Sequence, residues 1–300
     1  MSAIRIEVVG DTRDRLGECP LWDTRDACLY WIDSKGPYVR KLNPASGERR
    51  DWTLPSDVGS IALAKPGWLL CALKDGLYSL ELGSGRVQRI ATIEHAAPDI
   101  RLNDGRTDRQ GRFVVGSMVH GRHATEGALY RLDRDGTTTR LASGIALTNS
   151  TCFSPDGRTL YYSDSLAGEV RASDYDPASG AIGRQRILVD TRQHGSGPDG
   201  AVVDAEGHVW VALVLAGKLG RYRPDGSLER LVDMPTPFPT CPGFGGPNLD
   251  VLYVTSARDS GNVLKSDHPD AGALFAVHGL GVRGLPEVPY AGAMSGGTRT

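Results

Sequence analysis

Short runs in which apolar and polar residues alternate, separated by polar turns, follow one another along the chain, and no apolar stripe at helical spacing persists over three turns. The pattern repeats. Residues 106–118 read RTDRQGRFVVGSM, 152–164 read CFSPDGRTLYYSD and 202–213 read VVDAEGHVWVAL, each an apolar approach, an Asp-containing turn with a nearby Gly, then a run of β-branched and aromatic residues. Asp108, Asp156 and Asp204 stand 48 apart, and weaker copies at 21–33, 63–73 and 245–257 bring the total to six, at intervals of 42 to 48 residues. Each copy is followed by two more alternating runs around a turn, as in VRKLNPASGERRDWTL, LYSLELGSGRVQRIA, LYRLDRDGTTTRLA and LGRYRPDGSLERLV, which predict hairpins. Four short strands per repeat of about 45 residues predict an all-β, six-bladed β-propeller. Stacked sandwiches would not impose one period throughout. The expectation is a single propeller domain over residues 1–300, with a disordered C-terminal tail from about residue 291.

The period also serves as a ruler. Counting back eight residues from the fourth turn position (Asp26, Gly111, Gly157, Gly207) reaches Glu18, Asn103, Asn149 and Asp199, all oxygen carriers, whereas the second and sixth copies give Gly59 and Pro242. Equivalent positions of different blades share a radius and a height, so these four are expected to converge on the propeller axis. Taken singly, each is equally well a turn former or a cap for loop amides. Taken together, carboxylates and carboxamides aimed into one enclosed space repel and desolvate badly without a cation. An all-oxygen set favours calcium, magnesium or manganese over zinc or copper.

Gly17-Glu18-Cys19-Pro20-Leu21-Trp22, Arg101-Leu102-Asn103-Asp104-Gly105, Thr148-Asn149 ahead of Ser154-Pro155-Asp156-Gly157, and Pro198-Asp199-Gly200 ahead of Asp204-Ala205-Glu206-Gly207 resemble the gluconolactonase/regucalcin (senescence marker protein) family of sugar lactonases. The resemblance runs from about residue 5 to 280. It implies that Glu18, Asn149 and Asp199 hold one divalent metal ion, that Asp199 also handles the proton, and that Arg101 and Asn103 hold substrate oxygens. Calcium is the expected metal by type, with manganese, magnesium, iron(II) or zinc admitted by the same donors. The implied reaction is hydrolysis of a pentono- or hexonolactone (arabinono-, xylono-, galactono- or gluconolactone) to its aldonic acid. Two departures stand out. Cys19 and Ser150 replace glycines common in the family, and Val119-His120-Gly121 lacks an acidic residue that some animal members use for substrate, leaving His120 as the available hydrogen-bonding group.

Composition narrows the alternatives. The 38 glycines of 300 residues fit a chain of many tight turns, and a formal charge of −2 provides no field for nucleic acid or an anionic membrane. No secretory leader or membrane span is visible, and five scattered cysteines without a CxxC pair read as reduced thiols, which together predict a cytoplasmic protein. The expected partner is a small sugar lactone, with no nucleic acid or membrane partner, and the expected state a monomer or weak homo-oligomer. Gly279–Gly284 spells GxGxxG, but Pro286 and Pro289 follow where a helix should start. His194, Ser196 and Asp199 lack the GxSxG elbow of a serine hydrolase, and His120 with His123 sits in a glycine-bearing loop unsuited to zinc. The competing functions are a calcium-binding or interaction propeller without catalysis, and a propeller esterase acting on another ester.

Overall fold

The computed structural model describes residues 3–121 and 124–294, and among them twenty-four strands form six four-stranded antiparallel sheets, the blades of a β-propeller. The inner strands are Gly17–Asp23, Val58–Leu63, Ile100–Thr107, Thr148–Phe153, Pro198–Val203 and Pro239–Gly245. The blades are sequential except the last. Its outermost strand is the N-terminal Arg5–Val9, which pairs antiparallel with Leu274–His278 and closes the ring. That closure has no signature in the repeat, because Arg5–Val9 belongs to no copy of it.

The periodic aspartates build the turns between first and second strands. Asp108 accepts from the Gln110 and Arg112 amides, the Arg112 Nε and the Tyr175 hydroxyl, and Asp204 accepts from the Glu206 and His208 amides, Trp210 Nε1 and Arg221 Nε. Both side chains are fully buried, so the charge of each is matched by an arginine and its lone pairs are filled. Asp156, nearer solvent, makes a smaller version with Ser154 and Arg158. The turn glycines Gly111, Gly157 and Gly207 have φ of 81°, 68° and 85°, a region costly for other residues. Leucine, valine, tryptophan and tyrosine side chains fill the spaces between adjacent sheets, with Trp31 and Trp210 almost wholly buried.

These turns lie at one face, and the inner strands start at the other. Residues after His278 run back across the turn face. Ala205 N donates to Arg283 O, Gly284 N to Leu249 O, Tyr290 N to Leu63 O and Ala291 N to Gly111 O, carrying the segment from the fifth and sixth blades to the second and third. Glu287 meets the buried Arg106 there at 3.6 Å. Met294, inside the stretch expected to be a loose tail, is buried; residues 295–300 lie outside the described residues. The GxGxxG run is part of this crossing segment, and among the described residues no helix follows it. Among the described residues no helix is long and apolar enough to cross a membrane.

Candidate functional site at the axial channel

Each inner strand has a pairing irregularity near its start. Pairing skips between Glu18 and Leu21, Val58 and Ser60, Leu102 and Gly105, Asn149 and Cys152, Pro198 and Ala201, and Pro239 and Pro242. A bulge of this kind frees a residue from the ladder and re-aims its neighbours. The sequence ruler put Glu18, Asn103, Asn149 and Asp199 at one position; the structure divides them. Glu18 and Asn149 are the last paired residues before their bulges, and Asn103 and Asp199 are the first unpaired ones. The two residues following Glu18 and Asn149, Cys19 and Ser150, have φ of 52° and 57° despite their side chains. Both extra groups bridge blades: Cys19 Sγ contacts the Ile61 carbonyl at 3.4 Å, and Ser150 Oγ donates to the Asp199 carbonyl at 2.5 Å.

All five predicted site residues line one cavity of about 110 Å³ at the strand-start face. A hydrogen-bond chain orders its floor. Arg101 Nη1 donates to Asn103 Oδ1 (3.1 Å), Asn103 Nδ2 to Asn149 Oδ1 (3.0 Å) and to Thr148 O (2.9 Å), Asn149 Nδ2 to Ser165 Oγ (2.9 Å), and Ser165 Oγ to Pro198 O (2.6 Å). Three blades are thereby locked in register, and Asn149 Oδ1 keeps one lone pair beyond the bond from Asn103. Arg101 is 6% exposed and its Nε has no acceptor among the described residues.

Charge in the floor is unbalanced. Burial, then the charges of Asp199 and Asp104, hold the Glu18 carboxyl well above the usual range, with Arg101 opposing. Burial and then Asp104 push Asp199 up to about 8, and Asp104 is itself raised by burial despite accepting from the Thr151 amide at 2.6 Å. Such a set calls for added positive charge. Glu18, Asp199 and the Asn149 carbonyl oxygen are hard donors, which fit a divalent cation of the calcium or magnesium type. Among the described residues no three His, Cys, Asp or Glu side chains cluster as ligands, so this triplet depends on the carboxamide.

The cavity wall contains residues that sequence spacing did not single out. Lys35, from the turn after the first blade's second strand, pairs with Asp57 at 2.6 Å; Leu16, Met118 and Leu147 flank the floor; Ser260, Asn262, Val263 and Leu264 arrive from the sixth blade. Met118 lies near the end of the strand Phe113–Val119, and the others belong to connections whose length varies between blades, so spacing does not mark them. His120 also lines the wall, largely exposed, its pKa lowered by burial and then by Lys35 and Arg101. His123 lies outside the described residues. Ser196 is engaged with the Gly197 carbonyl and the Leu215 amide, and His194 packs against Tyr222, so neither joins Asp199 in a triad. The larger cleft between the first two blades, about 540 Å³, lies at the turn face, and its charges are met by ion pairs such as Arg25–Asp23 and Lys41–Asp26.

Residues 16–258 match the model of the SMP-30/Gluconolactonase/LRE-like region. The chain is 35% identical to regucalcin of Gallus gallus over 97% of its length and 100% of that protein's, and 37% identical to L-arabinolactonase of Azospirillum brasilense over 89% and 90%. Its fold matches a solved structure described as a calcium-binding protein, regucalcin, from Agrobacterium tumefaciens, with a TM-score of 0.88, 32% identity, and coverage of 94% of this chain and 96% of that one.

Proposed function

The chain belongs to the SMP-30/gluconolactonase/LRE-like family, and from that membership we propose that it is a carboxylic ester hydrolase, a metal-dependent sugar lactonase that opens an aldonolactone to its aldonic acid. The observation that carries this reading is the convergence of Glu18, Asn149, Asp199, Arg101 and Asn103 on one cavity floor, with a buried guanidinium whose Nε lacks a partner. Similarity to L-arabinolactonase supports the lactone class. Calcium, the ion in the description of the solved relative, is the first choice of metal.

Glu18, Asn149 and Asp199 would hold the cation. When bound, it supplies positive charge for the lactone carbonyl oxygen, which becomes anionic as water attacks. Asp199 is the proton carrier. Its carboxylate takes a proton from the attacking water as the carbon–oxygen bond forms, then delivers it to the ring oxygen as the ester bond breaks, so the ring opens to a hydroxyl and a carboxyl group. Arg101 keeps its charge throughout and would face a substrate or product oxygen from the cavity lining. Asn103 gives both amide hydrogens to Thr148 O and Asn149 Oδ1 and would accept from a sugar hydroxyl with the remaining Oδ1 lone pair. The partner is then a small molecule, and we assign a cytoplasmic monomer or weak homo-oligomer, in keeping with five free, buried cysteines.

The test is acid release from a panel of pentono- and hexonolactones by chelated protein, followed by restoration of single metals. Hydrolysis that disappears on chelation and returns with calcium or another divalent ion is the expected result. Cation binding with no acceleration of any lactone over its spontaneous rate would replace this reading with that of a calcium-binding propeller.

A further inference from the structure

One connection on the site face is unlike its equivalents. The second and third strands are joined by residues 34–37, 74–75, 120–126, 165–168 and 214–217 in the first five blades, and by 257–273 in the sixth. The ends of this insertion join the closing seam through Arg15 and Asp14, but the seam does not need the excursion between them, and such loops are usually functional. Its first half is a small hairpin. Asp259 and Lys265 bridge antiparallel, Ser260 N donates to Leu264 O at 2.9 Å, and Gly261 N donates to Asp259 Oδ1 at 2.9 Å. The base is tied down, since the Arg258 and Asp259 amides both donate to the Arg15 carbonyl, at 3.0 and 2.9 Å.

The tip of this hairpin reaches the cavity. Val263 is 75% exposed, more than any other exposed large apolar side chain among the described residues, yet it lines the cavity beside Leu264. What sets Val263 apart from exposed Leu166, Ile187 and Leu215 is that it also lines the cavity. Leu264, Leu16, Met118 and Leu147 are the other apolar residues of the same cavity. Lys35, His120, Ser260 and Asn262 line the same cavity and serve hydroxyls, whereas Val263 and Leu264 offer none a partner. A hydrocarbon arm would remove both surfaces from water.

We propose that the 259–265 hairpin is a specificity arm, and that the site accepts lactones whose ring bears an alkyl or deoxygenated substituent, laid along Val263 and Leu264 with the ring carbonyl on the floor. The inference rests on the lactonase reading for its headgroup, and on the wall alone for its tail. Arg101 and Asn103 serve the ring, while the hairpin discriminates among substituents.

The experiment is a series of γ-lactones from γ-valerolactone to γ-nonalactone, assayed for kcat/KM beside a hexonolactone. The gain should be about two- to fourfold per added methylene until the tail passes the hairpin, expressed mainly in KM. Val263→Ser should flatten that slope, whereas Leu215→Ser, an exposed leucine outside the cavity, should preserve it. The matching alkyl γ-lactams, which resist hydrolysis, are titrated by calorimetry. Tail-dependent lactam binding that Val263→Ser abolishes upholds the arm even if no lactone is cleaved and the lactonase reading falls. Hexonolactone hydrolysis with flat kcat/KM and flat lactam affinity along the series overturns the arm and leaves the lactonase reading standing.

Discussion

Asp199 has two neighbours that raise its proton affinity, the apolar interior and Asp104, and a proposed role that depends on giving the proton away. An added cation reconciles them by lowering the energy of the ionised form. Asp199→Asn keeps the shape and removes the charge, so lactone hydrolysis should fall about 10²- to 10⁴-fold with weakened cation binding, measured by acid release and by titration with calcium. Activity within a few-fold of wild type would remove Asp199 from proton transfer. Arg101→Met should instead raise KM for lactones with no loss of cation affinity, because Arg101 donates to Asn103 and the Leu102 carbonyl rather than to a cation donor, and its charge beside Glu18 opposes a cation. Loss of the cation in that variant would make Arg101 structural. Four of the five floor residues, Glu18, Asn103, Asn149 and Asp199, were legible in the sequence because their spacing is periodic, and Arg101 only through the family resemblance. Lys35 and the wall around Val263 were not, since nothing periodic specifies them.

At the scale of the strand, the bulges turn a simple count into a site. A regular inner strand alternates its side chains between the two faces of its blade; an extra residue breaks the alternation and turns neighbouring side chains toward the axis. Counting residues recovered the four positions yet treated them as equivalent, which the pairing register corrects. Ser150 shows what the bulge demands. Its left-handed backbone favours glycine, while its hydroxyl satisfies the buried Asp199 carbonyl of the next blade. Ser150→Ala keeps the strain and deletes the donor, and should cost about 1–2 kcal/mol in urea unfolding. Ser150→Gly relieves the strain as it deletes the donor, so it should cost less than the alanine variant. The opposite ranking would show that the left-handed backbone at Ser150 carries no strain that glycine relieves.

For the whole molecule, the closing seam between first and sixth blades concentrates stability. Deleting residues 1–10 removes Arg5–Val9 from the sixth blade and bares the edge Leu274–His278, and should lower Tm by at least about 5 °C. An unchanged Tm would mean the seam is held elsewhere. Asp14 belongs to the same seam. Its amide donates to the Gly272 carbonyl, and its buried carboxylate accepts from Arg40 Nε and Trp31 Nε1. Burial outweighs Arg40 and raises Asp14 from 3.8 to about 6. A folded-state value above the unfolded one favours the fold at low pH, so this contribution is complete below about pH 4 and is lost as pH rises through about 6, at most about 3 kcal/mol. Urea unfolding of wild type and Asp14→Asn at pH 4.5 and 7.5 checks the sign: wild type should lose more stability than the variant between the two. Equal losses would mean that Arg40 holds Asp14 ionised in both states.

The sequence by itself determined the repeat, the six blades, the turn aspartates and the floor of the site, because each is specified by local alternation and by a spacing that every blade must obey to stack on the next. Only the tertiary structure decided how the ring closes, which residue of each bulge faces the cavity, and which connections form its wall. Those features depend on segments far apart in the chain, residues 5–9 with 274–278 and 259–265 with the first blade, and no local pattern carries the information about which distant surface a strand edge or a loop tip will meet.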